Sequence, residues 1–288
     1  SALGTPMTDT KTRADAWRRF RKNRLAVAGL AIVLVLALTA AAAPLLAPHD
    51  PGRQDLPAKR TPPGSRFLLG ADEFGRDILS RIIYGTRVAL LVGTCSVAIA
   101  LGLGLLFGVV SGYAGGVTDM VISRGMEILL AFPYLLLAIA VVSALGPGVL
   151  NTTLAVGIWA MPAFTRIVRA SVLSLKDSDY VQAARAIGVP TAAILVRHIV
   201  PNFLSTLIVY STLYMANAIL VEAALSFLGL GVQPPTASWG LMVATGRDFL
   251  LTAPHITTIP GLAIMLAVLG FNLLGDGLRD ALDPRLRT

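Results

Sequence analysis

Long uncharged apolar runs alternate with short polar ones along this chain, and the length of the apolar runs names their role. Leu25 to Leu46 carries no charge, and its roughly 22 residues at about 1.5 Å each reach roughly 33 Å, enough to cross a hydrocarbon core. Runs at 87–110, 119–145, 151–167, 203–228 and 255–274 repeat the pattern, so six transmembrane helices are predicted. Gly102, Gly104 and Gly108 predict close approach of another helix to the second span, and Pro133 and Pro162 each predict a kink. Residues 47–85 mix charges with prolines and glycines, which excludes one continuous helix. The chain divides into a tail at 1–24, a first span at 25–46, an external segment at 47–85, a five-helix core at 86–275 and a tail at 276–288. Ser1 to Pro6 precede Met7 and stand outside the fold reading.

One polar interruption, residues 177–202, differs from the other connections. Ser178 or Asp179 is placed to cap a short helix with Val181, Ala184 and Ile187 on one face and small Ala183 and Ala186 beside them. Gly188 ends that helix, because glycine enters the left-handed C-terminal position without strain. Pro190 suits the first turn of a second helix, and Pro201 closes the unit before the next apolar run. A helical elbow with few side chains on its surface makes a rigid knob for a socket on another protein; the plainer reading is an ordinary capped loop.

Composition agrees with a membrane protein: 55% hydrophobic, 14% charged, mean hydropathy +0.72. A net charge of +8 would point to nucleic acid in a soluble domain, but here the basic residues flank apolar runs, which the positive-inside rule explains without any nucleic acid. The basic tail, from Lys11 and Arg13 to Arg24, puts the N-terminus in the cytoplasm; its Trp17 and Phe20 share one face, as in an interfacial helix, and a solvated basic tail is the other reading. Alternation then places both termini and the elbow inside, with about two thirds of the 24 Lys and Arg residues on that side. The first apolar run is too long for a signal h-region and reads as a retained anchor.

Chemistry of catalysis is sparse. No glycine-rich phosphate loop precedes any of Lys11, Lys22, Lys59 or Lys176, so no ATPase site is expected on this chain. Three histidines far apart and the single Cys95 inside an apolar run offer no metal site and no nucleophile paired with a base. Glu222 is the one carboxylate well inside an apolar run, with Asn217 nearby, and both are candidates for a gate or pathway role. An ion-coupled secondary carrier is the rival of another class, but such proteins commonly hold several buried carboxylates or histidines.

Several strings resemble one family. Ala183, Ala184, Gly188 and Pro201 stand at the spacing of the EAA loop of ABC importer permeases, with Gln182 where that family has Glu. Leu69–Arg81, which includes Asp72, Gly75, Arg76 and Asp77, is similar to the signature ahead of the second span in peptide-type permeases. Glu222–Gly231, the run through Pro234, Pro235, Ser238, Trp239 and Arg247, and the tail GDGLRDALDPR complete the likeness to the C-type permease subunit of dipeptide and oligopeptide importers. That resemblance implies an all-α, type I importer permease fold in a bacterial cytoplasmic membrane, with Val181, Gln182, Ala183, Ala184, Arg185, Ile187, Gly188 and Pro201 as the coupling unit. Implied partners are a homologous B-type permease, one or two ABC ATPase subunits or a fused ATPase, and an extracytoplasmic substrate-binding protein. ATP and Mg then belong to the ATPase partners, and no cofactor or metal to this chain. Short peptides are the implied cargo, with nickel or glutathione carried by the same architecture as alternatives. The likeness further implies a short external helix near the pore mouth, with Trp239 in an aromatic belt.

Overall fold

Helices make up most of the chain in the computed structural model, which describes residues 17–282; 47–77 and 228–238 are the longest stretches without an α-helix. The main ones are α1 (Arg24–Ala41), α2 (Ile78–Ala114), α3 (Gly116–Ala131), α4 (Tyr134–Leu145), α5 (Val149–Leu175), α6 (Asp179–Ala186), α7 (Thr191–Phe227), α8 (Trp239–Gly246) and α9 (His255–Leu282). Five are long and apolar enough to cross a membrane, and the bent pair α3 and α4 makes a sixth crossing if counted as one. The chain is an all-α polytopic membrane protein; among the described residues the extended pairing is an isolated bridge between Ala71 and Asp77. Lys11, Arg13 and the last six residues of the C-terminal tail lie outside the described residues.

The spans differ from the expected ones where polar ends and prolines intervene. Asp77, which the sequence offers as the start of a helix running into the second span, does cap α2: it accepts from the Ser80 backbone N–H at 3.1 Å, and the helix begins nine residues before Arg87. With 37 residues and about 1.5 Å per residue it is roughly 55 Å long, and it projects beyond a hydrocarbon core. The expected third span is two helices that meet at 96°. Pro133 holds Phe132 in an extended conformation (φ −82, ψ 136), which ends α3 outright instead of kinking it. Pro162 remains inside an unbroken α5.

Pro201 does not close the elbow, contrary to the sequence expectation. The second helix starts at Thr191 and runs on through Pro201 into the span. A π turn at Leu195–Ile199 makes this possible: the Val200 N–H bonds to the Leu195 carbonyl five residues back, and the wider turn relieves the crowding a proline ring imposes on an α-helix.

Close helix contacts build the bundle. Gly104, Gly108 and Gly112 of α2 face Phe164, Val168 and Val172 of α5, the same four-residue step on both helices; a Cβ at Gly108 would sit 2.6 Å from that of Val168. Gly102 faces open space, so the close approach runs through Gly104, Gly108 and the unanticipated Gly112. On the other side α1 lies against α9, with Gly29 on Leu274 and Gly270 on Ile32. Trp17 and Phe20 stack at 5.8 Å, but Phe20 is buried with Ala26 and Ala281, so it packs into protein and not along an interface.

Candidate functional site

The elbow between α5 and α7 is a plate fixed on one side and bare on the other. Gly188 (φ +80) donates its N–H to the Arg185 carbonyl, and Val189 donates to Ala184, both at 3.0 Å, the paired bonds of a Schellman ending. At the start of α6 the Ser178 side chain does not cap; its hydroxyl donates to the Leu175 carbonyl at 2.6 Å. Val181 and Ala184 are buried in the same cluster as Val172 of α5 and Ile194, Ile199 and Phe203 of α7. Arg185 lies 5.2 Å over the ring of Tyr113, at the end of α2.

Ile187 does not share the face of Val181 and Ala184. The helix ends at Ala186, and Ile187 occupies the capping position (φ −86, ψ 7), where its side chain is 81% exposed. Tyr180, Gln182, Ala183 and Gly188 are exposed with it, while Pro201 is an exposed residue of α7 beyond the elbow. An isoleucine held outward at a stiff helix end is a good wedge for an apolar socket.

Beneath the elbow lies an ion pair that periodicity did not reveal. Asp119 at the start of α3 accepts from Arg169 Nε and from an Arg169 terminal nitrogen, both at 2.6 Å, and also from Ser111 and Ser123. Lys176 donates to the Gly112 carbonyl at 3.2 Å. These bonds tie α2, α3 and α5 together at the elbow end. The signal available in the sequence was a lone acidic residue before a span and an arginine at the end of another, and nothing linked the two.

At the opposite end the string 69–81 folds into a buried polar knot. Asp72 accepts from the Phe74 and Arg76 backbone N–H groups and from Arg76 Nε at 2.6 Å; Arg76 reaches Glu73 at 3.2 Å. Gly75 (φ +76) presses on the Asp55 backbone with no room for a Cβ. Trp239 is buried, not in an aromatic belt: its Nε1 donates to the Ile82 carbonyl at 3.0 Å over Gly85. The short helix α8 thereby docks on the start of α2. Arg247 remains exposed, 5.7 Å over the Phe227 ring.

Glu222 and Asn217 do not come together. Glu222 is buried, and its Oε1 accepts from Ser226 at 2.8 Å and Ser238 at 2.9 Å; Ser226 in turn accepts from the Val232 N–H. The carboxylate thus stitches the end of α7 to the loop before α8. Asn217 is exposed on another face, donating to the Leu213 carbonyl at 3.3 Å. Among the described residues no three His, Cys, Asp or Glu side chains are grouped to hold a metal ion.

Comparison with known proteins covers nearly the whole chain. The family model for "Binding-protein-dependent transport system inner membrane component" matches residues 104–288, and that for "N-terminal TM domain of oligopeptide transport permease C" matches 12–63. The di/tripeptide transport system permease protein DppC of Pseudomonas aeruginosa (strain UCBPP-PA14) is 47% identical over 279 residues, 95% of this chain and 92% of that protein. The dipeptide transport system permease protein DppC of Alkalihalophilus pseudofirmus is 44% identical over 98% of this chain and 94% of its own. The glutathione transport system permease protein GsiD of Pectobacterium atrosepticum is 45% identical over 95% and 91%.

Proposed function

The chain belongs to the family of binding-protein-dependent transport system inner membrane components, and from that premise we propose that it forms half of the translocation pathway of an ATP-driven importer of short peptides. Peptide cargo is supported by the relatives named for di- and tripeptide transport. A homologous B-type permease supplies the other half, a substrate-binding protein delivers cargo at the knot end, and ABC ATPase subunits, separate or fused, dock at the elbow. ATP and Mg are bound and turned over on those partners, and this chain carries no enzymatic step. Both termini and the elbow face the cytoplasm, in keeping with the charge bias.

The observation that carries the coupling role is the two-sided elbow: Val181 and Ala184 locked in the core, Ile187 and Tyr180 turned out. A push on the outer side cannot be absorbed by α6 sliding, because the buried side interlocks with α5 and α7. Motion of the ATPases therefore tilts those helices between inward and outward access. The motifs at Asp72, Gly75, Arg76, Asp77, Trp239 and Arg247 build the outer mouth, and Glu222 supports its closure.

Reconstitution tests this directly. The four-component complex in proteoliposomes should accumulate labelled dipeptide only with ATP inside the motor compartment and binding protein on the other face; ATP-independent uptake would overturn the proposal. Glutathione is the second cargo reading, on the strength of the glutathione permease at 45% identity. Excess unlabelled glutathione should then abolish dipeptide uptake, whereas under the peptide reading it competes poorly.

A further inference from the structure

Helix α7 leaves two faces uncovered, and they differ in kind. On one, Leu204 and Ile208 are 50% and 47% exposed, as suits lipid. On the other, Asn202, Thr206, Tyr210 and Asn217 are exposed at steps of four, four and seven residues, one helical face, with Ser205 beside them and half-buried Leu213, packed on Gly275, interrupting the polar stripe between Tyr210 and Asn217. Exposed amides and hydroxyls at membrane depth are costly against hydrocarbon, so this face requires water or polar partners. At its elbow end it opens into a groove of about 370 Å³ whose far wall carries Arg279 of α9. Toward the knot end the same face turns apolar, with Leu220 48% and Phe227 37% exposed.

We infer that Asn202, Thr206, Tyr210 and Asn217 form the wetted wall of the cargo path, open toward the elbow and sealed at Leu220 and Phe227, and that they hold cargo by uncharged hydrogen bonds to the peptide backbone. From Asn202 to Asn217 the face spans about 22 Å, most of a hydrocarbon core. It carries no fixed charge along that length. Amides and hydroxyls both donate and accept, so they match the carbonyls and N–H groups that every peptide presents, and they leave the cargo's side-chain charge unread. Single uncharged hydrogen bonds are weak enough to exchange with water, which suits passage over retention. This inference rests on the importer reading.

Cysteine substitution tests it cleanly, because Cys95 is the chain's only thiol and Cys95→Ser removes it. In the assembled complex without ATP, a membrane-impermeant thiol reagent applied from the elbow side should modify Thr206→Cys and Asn217→Cys. Leu204→Cys, Ile208→Cys and Phe227→Cys should show no measurable modification. Stripe cysteines that react in the isolated subunit but are silent in the complex would place this face against the partner permease and overturn the inference; so would silence in both. Asn217→Leu should raise the KM for uptake about fivefold, the loss of one uncharged bond, and equally for acidic, basic and neutral dipeptides. An effect confined to one charge class, or none, overturns backbone recognition. Uptake by the Cys95→Ser complex separates the two failures: if it transports peptide while the stripe stays silent, the importer reading stands and this one falls; if it transports nothing, the importer reading falls.

Discussion

Arg169 and Asp119 meet through two parallel hydrogen bonds of 2.6 Å, joining the end of α5 to the start of α3. The pair is partly exposed, 34% and 20% for the two side chains, so its strength comes from fork geometry more than from burial. Asp119→Asn keeps the shape but loses the charge and one acceptor. It should lower the stability of the complex by about 1.5 kcal/mol, read as an earlier thermal aggregation midpoint. Arg169→Lys should cost a similar amount, because an ammonium lacks the planar fork that sets two parallel hydrogen bonds to one carboxylate. If neither variant shifts the midpoint, the pair is ornamental.

Two glycines of α2 should respond in opposite directions. Gly108→Leu drives a side chain into Val168, 2.6 Å from where the Cβ would lie, and overpacking of this kind costs roughly 1–3 kcal/mol. Gly102→Ala meets nothing within 4 Å, and removing a flexible glycine from a helix is worth roughly 0.5–1 kcal/mol of added stability. Thermal midpoints of the two variants, measured side by side, should bracket the parent.

These contrasts show which features sequence patterns carry. Apolar run length was enough for the membrane class, and Gly188 followed by Pro190 was enough for the elbow, because both are local statements about solvent and backbone. The end of α3 was half legible: Pro133 promised a disturbance, but whether a proline kinks or stops a helix depends on what packs around the break. Ile187 was misplaced since three-and-four spacing holds only while the helix lasts, and it ends one residue earlier. Pro201 misled for the opposite reason: a π turn upstream let the helix continue. Asp119 with Arg169, 50 residues apart, and Glu222 with Ser238, 16 apart, were invisible because only the fold brings them together.

The elbow hypothesis separates strain from bulk at a single position. A Cβ at Gly188 would meet nothing within 4 Å, so Gly188→Ala pays only for a left-handed backbone, about 1–2 kcal/mol. Its uptake should fall modestly. Gly188→Trp adds bulk on the docking side and should abolish ATP-driven uptake while the subunit still inserts and binds its partner permease. Ile187→Asp, which leaves the backbone untouched, should reduce recovery of the ATPase in pull-downs. Wild-type uptake by Gly188→Trp would remove the elbow as the docking site.

Glu222 offers the sharpest choice between support and cargo contact. Both hydrogen bonds to its Oε1 come from within the chain, and the residue is 2% exposed, so no cargo reaches it without opening the loop before α8. Glu222→Gln retains a carbonyl oxygen for Ser226 and Ser238 and should keep most of the uptake. Glu222→Ala leaves two buried hydroxyls without their acceptor, at roughly 1–3 kcal/mol each, and frees the loop from α7. Protease applied on the knot side should then cut residues 228–238 faster, and basal ATPase activity should rise as the outer closure weakens. Unchanged uptake, unchanged ATPase and unchanged cleavage in Glu222→Ala would eliminate a supporting role. A Glu222→Gln variant with altered preference among charged dipeptides would instead make this carboxylate a cargo contact.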